Sequence, residues 1–202
     1  MSSKLEIEIM EDGPYKMSNV DSLEFNNEPQ DITNPCFLCR CGESKKAPYC
    51  DGSHGAAGFV GKSKPLKKQD IIVWEGKKLK TYFNPNICMH ARYCAPLGEL
   101  RKKEGDDGST ATAEKIVFIA NKCPSGAVSY EKLADFTEKK PNHENRVSIR
   151  KGGEIRIQAE SNAVNFDLSD RQDSDKITLC RCGKSLNKPF CDAQHEEKKG
   201  FV

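Results

Sequence analysis

No stretch of this sequence approaches the ~20 consecutive apolar residues of a membrane span. The opening MSSKLEIEIM lacks the basic and apolar regions of a secretory signal. The expectation is a cytoplasmic chain that does not engage a membrane. Neither sign of charge dominates: 32 Lys and Arg against 30 Asp and Glu leave a net charge of +2. Such a balance creates no global field that would gather nucleic acid. Only 36% of the residues are hydrophobic and 7% aromatic. That is little for one large core, and small modules stapled by metal fit better. A phosphate loop, a dinucleotide fingerprint and a nucleophile–base pair are all missing, so the chain is not expected to be an enzyme. Cysteine, by contrast, is abundant, with ten residues. Where thiols are kept reduced, clustered cysteines read as metal ligands before disulfides.

The chain repeats itself. Cys39-Arg-Cys-Gly-Glu-Ser44 returns as Cys180-Arg-Cys-Gly-Lys-Ser185, and Pro48-Tyr-Cys-Asp51 as Pro189-Phe-Cys-Asp192. No gap is needed inside the motif; beyond it, Gly58-Phe59 matches Gly200-Phe201 after one extra residue. Upstream, Asp12-Gly13-Pro14-Tyr15 and Lys151-Gly152-Gly153-Glu154 resemble related turns. Leu5, Ile7 and Ile9 alternate with charged residues; Val147 and Ile149, and Ile155 and Ile157, alternate with polar ones. Period-two alternation predicts half-buried strands. Each copy is then a small β unit ending in a loop of metal ligands.

In each copy two cysteines separated by one residue bring both thiolates toward one metal. The third cysteine follows across a turn containing Pro48 or Pro189. A histidine four positions later shares a helical face with it. Asp51 and Asp192 stand where they can cap the free N–H groups of such a turn. Cys39, Cys41, Cys50 and His54, and Cys180, Cys182, Cys191 and His195, suit either one metal ion or a binuclear cluster. Structural zinc accepts three cysteines and a histidine, but its usual knuckle is C-x2–4-C. The C-x-C spacing favours a cluster.

The run Cys39-x-Cys41-x2-Ser44-x3-Pro48-x-Cys50-Asp51-Gly52-Ser53-His54 resembles the CDGSH signature of the mitoNEET-like [2Fe–2S] proteins. The second copy departs from it at Ala193 and Gln194 without losing a ligand. The resemblance covers roughly residues 5–60 and 145–202. It implies two [2Fe–2S] clusters. One iron would take Cys39 and Cys41 and the other Cys50 and His54; the second site would pair Cys180 with Cys182 and Cys191 with His195. The mitochondrial relatives carry a membrane anchor that this sequence does not show.

Between the copies, Asp70–Trp74 and Leu79–Phe83 read as strands. Residues 112–122 read as a helix with Ala113, Ile116, Val117 and Ala120 on one face, capped by Ser109, Thr110 or Thr112. Gly126–Tyr130 reads as a final strand. Cys88-Met-His-Ala-Arg-Tyr-Cys94 and Cys123-Pro124 make this stretch, roughly 68–132, resemble the divergent mono-cluster ferredoxin-like domain. Ala91 stands where single-cluster ferredoxins have a middle ligand and cannot bind metal. The resemblance implies a [3Fe–4S] cluster, or a [4Fe–4S] cluster with a fourth ligand such as His90. Cys36, matched by Ile177, reads as a free thiol, and His143 as solvated. Lys62–Lys68 and residues 77–80 read as solvated lysine-rich faces, with docking of acidic redox partners the sharper reading. Trp74 and Phe83 read as core.

The expected fold is α+β, mostly β. Two small CDGSH-type modules (1–64 and 139–202) pair within one chain as a pseudo-twofold unit, and a small ferredoxin-like α+β domain (65–138) is inserted. A neutral imidazole makes the reduced cluster easier to reach than a thiolate does. Two histidines raise the potential from about −400 mV to between roughly −150 and +300 mV, and one should fall between. The leading functional expectation is electron transfer by a monomer to an unidentified redox protein. The alternatives are an iron–sulfur carrier or redox and pH sensor serving an apo-protein acceptor, and a zinc-stabilised interaction module.

Overall fold

Three short β-sheets and one longer helix account for most of the regular structure in a computed structural model that describes residues 4–63, 67–98, 105–133, 144–159 and 162–197. In the first copy, β1 (Leu5–Ile9) and β2 (Tyr15–Ser18) form an antiparallel hairpin, and β5 (Cys36–Leu38) extends it. β3 (Ser22–Phe25) and β4 (Glu28–Pro29) leave that sheet. In the second copy, β9 (Arg146–Ile149) and β10 (Ile155–Gln158) form the matching hairpin, extended by β12 (Lys176–Leu179).

The copies exchange strands. β3 of the first copy lies parallel to β9 of the second, and β11 (Asn162–Val164) of the second lies parallel to β1 of the first. The resulting sheets run β11-β1-β2-β5 and β12-β10-β9-β3-β4. This is the pseudo-twofold pairing expected from the repeat.

The alternation explains the exchange. Leu5, Ile7, Tyr15 and Met17 of one copy and Val147, Ile149, Ile155 and Ile157 of the other join one common core. Each such side chain contributes ~1.5–3 kcal/mol when fully buried, and neither hairpin alone has a second layer to cover it. Cys36 is fully buried in this core, as is its counterpart Ile177. Burial pushes the Cys36 thiol pKa up.

The middle module has its own sheet, β6 (Ile72–Glu75), β7 (Leu79–Phe83) and β8 (Val128–Lys132), antiparallel throughout. Helix α2 (Thr110–Lys122) packs on it and buries Ala113, Ile116, Val117 and Ala120. The helix starts earlier than residue 112 because Ser109 takes the cap, its hydroxyl accepting from the Thr112 N–H at 3.2 Å. β8 starts later than Gly126, whose positive φ belongs to the turn leaving Cys123. Phe83 packs against the core, and Trp74 is half-buried on β6. Lys68 pairs with Asp170, and Lys80 with Glu75. His143, the boundaries at 64/65 and 138/139, and Gly200-Phe201 lie outside the described residues. Among the described residues no helix is long and apolar enough to cross a membrane.

Candidate metal centres

Both end copies build their ligand loops from the same bonds. The Cys39 N–H donates to the Pro48 carbonyl at 2.8 Å, and the Cys180 N–H to that of Pro189 at 2.8 Å. The Ser44 and Ser185 hydroxyls each donate back across the turn at 2.6 Å, to the Tyr49 and Phe190 carbonyls. Asp51 accepts from Lys45 N–H and Ser53 N–H, and Asp192 from Leu186 N–H and Gln194 N–H. The aspartates therefore clamp the loop to the short turn after it, α1 (Ser53–Ala56) in the first copy. Gly52 is the N-cap position of α1, and Asp51 caps the turn from one position earlier by accepting from the Ser53 N–H. Hydrogen bonds from Ser53 and Lys45 hold the Asp51 carboxyl well below the usual carboxylate range.

These clamps bring the sulfurs together. Cys39 and Cys41 Sγ lie 3.8 Å apart, and Cys180 and Cys182 Sγ 3.7 Å. Cys50 Sγ lies 3.4 Å from His54 Nδ1, and Cys191 Sγ 3.4 Å from His195 Nδ1. Backbone N–H groups point at the sulfurs. Gly42 donates to Cys39 at 3.3 Å and Glu43 to Cys41 at 3.4 Å; in the second copy Lys184 donates to Cys182 and Ala193 to Cys191, both at 3.4 Å. Gly42 and Gly183 have φ of +76° and +75°, which only glycine adopts without strain.

Burial makes Cys41 and Cys191 reluctant to ionise on their own. It pushes Cys41 up to about 11 and Cys191 up to about 12. Cys180 is also raised, first by its hydrogen bond with Cys182 and then by burial. Arg40 and Arg181, the middle residues of the two C-x-C motifs, are buried beside them. Arg40 donates to the Met10 and Gly61 carbonyls and lies over the Tyr15 and Phe59 rings. Arg181 donates to Gly153 and Arg150 carbonyls, and its charge acts on Cys39 of the first copy as well as Cys182.

The two ligand loops touch. A Cβ on Gly183 would lie 2.7 Å from the Cys41 carbonyl oxygen. The buried Tyr15 hydroxyl crosses from the first copy and donates to the Cys180 carbonyl at 2.8 Å. The surroundings of the two histidines differ. His195 Nε2 lies 3.4 Å from the buried Glu154 carboxylate, which also accepts from Arg156 Nε at 2.6 Å. At the matching turn position the first copy has Pro14. Cys50 is half-buried where Cys191 is buried.

In the middle module Cys88 follows a 3-10 turn, Pro85–Ile87, and Cys94 precedes another, Ala95–Leu97. Cys123 ends α2. The three line one small cavity with Phe83, Met89 and Ala91. The His90 N–H donates to Cys88 Sγ at 3.4 Å, and Val128 N–H to Cys123 Sγ at 3.5 Å. His90 itself is exposed and lines the cleft beyond the cavity.

Zinc would gather four donors around one ion. Donors that come in pairs at the ends, and spread around a cavity in the middle, fit clusters in which several irons share the ligands.

Residues 9–55 and 146–196 each match the family described as iron-binding zinc finger, CDGSH type, and residues 74–133 match the divergent 4Fe-4S mono-cluster family. Two CDGSH modules flank a divergent 4Fe-4S mono-cluster module. This is an iron–sulfur protein. No curated protein and no solved structure matches the chain. Sequence reasoning missed the neighbours of the CDGSH ligands: the buried arginines, Tyr15 and Glu154. The arginine was visible in the repeat as Cys-Arg-Cys-Gly. Nothing in the sequence pattern marked Glu154.

Proposed function

We propose that the chain is an electron-transfer protein. In this reading Cys39, Cys41, Cys50 and His54 hold one [2Fe–2S] cluster, and Cys180, Cys182, Cys191 and His195 hold a second. Cys88, Cys94 and Cys123 hold a [3Fe–4S] cluster, or a [4Fe–4S] cluster to which His90 or another group adds a ligand. Each cluster, when bound, supplies a one-electron acceptor.

The observation that carries the reading is the contact between the ligand loops, Gly183 against Cys41. Direct packing of one ligand loop on another favours exchange of electrons between sites. The residues do the tuning. N–H donors to sulfur and the buried arginines stabilise the extra negative charge of a reduced site. The chain then acts as a carrier rather than an enzyme, as a cytoplasmic monomer serving an unidentified redox protein.

A second reading, transfer of a cluster to an apo-protein or sensing of pH, is supported at the first site, where Cys50 and His54 are only half-buried. The two separate in one assay. Electron transfer predicts reversible one-electron reduction faster than any movement of iron to an apo-ferredoxin. Faster movement of iron would favour the carrier. A colourless, zinc-containing protein would leave only the interaction-module reading.

A further inference from the structure

We propose that the middle site exchanges electrons with the second CDGSH site, and not directly with the first, through Thr178. The inference rests on the electron-transfer reading. The middle module docks on the second copy by hydrogen bonds. Asn84 Nδ2 donates to the Asp170 carbonyl at 2.7 Å, Lys176 Nζ to that of Ala120 at 3.0 Å, and Arg171 to that of Ser125 at 2.9 Å.

One of these contacts runs from ligand to ligand. Cys123 is bonded to Pro124, whose carbonyl accepts from the Thr178 hydroxyl at 2.8 Å. The Thr178 carbonyl accepts from the Cys191 N–H at 3.1 Å. Two hydrogen bonds and a run of covalent bonds through Pro124 and Thr178 thus join a middle ligand to a second-site ligand. A hydrogen bond couples two groups better than a van der Waals gap, because the atoms are closer. Beside this link Arg171 stacks 4.6 Å from the Phe190 ring centre, next to Cys191, and its charge acts on Cys123. Among the described residues its buried Nε and Nη2 have no hydrogen-bond partner. A cation placed there favours an added electron on either side.

The first copy has the same strand position and lacks the link. Cys50 N–H donates to the Phe37 carbonyl as Cys191 N–H does to Thr178. Phe37 has no hydroxyl, and its side chain is exposed where Thr178 is buried. The first site is instead reached from the second, across the Gly183–Cys41 contact. In each step one electron leaves a reduced site and enters an oxidised one, with no bond made or broken.

The test uses the cluster-loaded chain under anaerobic conditions, with a photoreduced deazaflavin as the one-electron donor and freeze-quenched EPR as the readout. His54→Cys and His195→Cys shift the spectrum of one end site each and so identify its signal. The proposal expects the second-site signal to grow before the first. Thr178→Val should slow that growth severalfold, and Thr178→Ser should restore it. In the fully reduced chain, spin–spin broadening from the middle site should fall more strongly on the second-site signal. Equal rates in wild type and Thr178→Val, or stronger broadening of the first site, would overturn the route while leaving electron transfer standing. Failure of every site to reduce reversibly would overturn the electron-transfer reading itself, and the route with it.

Discussion

Replacing Gly183 with alanine tests whether the two CDGSH modules form one unit at their ligand loops. Two penalties apply. Gly183 has a φ of +75°, where a side chain costs roughly 1–2 kcal/mol. The new Cβ would also fall 2.7 Å from the Cys41 carbonyl oxygen and 3.2 Å from its carbon. Both are backbone atoms, so the loops must separate, an overpacking cost of ~1–3 kcal/mol. The sum is ~2–5 kcal/mol, a large share of the stability of an ordinary domain.

Gly52→Ala is the matched control. Its φ is +87°, and among the described residues nothing lies within 4 Å of its added Cβ. Only the conformational penalty of roughly 1–2 kcal/mol applies there. The second copy already carries this change, since Ala193 sits at φ +69°. Urea unfolding of the cluster-loaded protein, followed by far-ultraviolet circular dichroism, measures both. Gly183→Ala should unfold at clearly lower urea than Gly52→Ala. It should also weaken cluster retention at the first site, whose Cys41 it displaces. Equal midpoints would mean that the loops do not touch and that the intrachain pairing is wrong.

Acid should strip iron from the end sites, because a proton competes for the imidazole nitrogen. The first site, with its half-buried Cys50 and His54, should lose its visible absorbance before the second. His54→Cys should slow that loss and lower the reduction potential; an unchanged acid profile would remove His54 from the ligand set. Cys123→Ser should abolish only the middle-site EPR signal, leaving the end sites intact, and loss of all three signals would count against a separate middle site. The iron-depleted chain should lose stability as pH rises from about 9 toward 12. Burial holds the thiols protonated up to about 11 at Cys41 and about 12 at Cys191, so in that window the folded state binds more protons than the unfolded one. Urea midpoints at pH 8 and pH 10.5 check the sign, and a higher midpoint at pH 10.5 would refute it.

The alternation of Leu5, Ile7 and Ile9, and of Ile155 and Ile157, made the hairpins legible, because half-buried strands write their faces into the chain. The ligand pairs were legible from their spacing, which the loop clamps convert into sulfur contacts. Strand β11 was not legible: Asn162-Ala-Val164 is too short to show a pattern, and its place comes from pairing with β1. The docking of the middle module on the second copy was hidden for a different reason. It rests on single polar groups such as Thr178, Asn84 and Arg171 reaching backbone carbonyls, and such bonds leave no periodicity. Glu154 and Arg181 run against pattern altogether. Both are only 1% exposed, although charged residues are ordinarily read as surface. They are buried because each faces a partner across the fold that sequence order does not bring near.

In the proposed reading three sets of ligands hold iron–sulfur clusters. Iron and acid-labile sulfide, determined on anaerobically purified protein, test it most directly. About seven or eight irons per chain are expected, two from each end site and three or four from the middle, with a matching yield of sulfide. Four irons would mean an empty middle site, and zinc without sulfide would mean that none of the three sites holds a cluster.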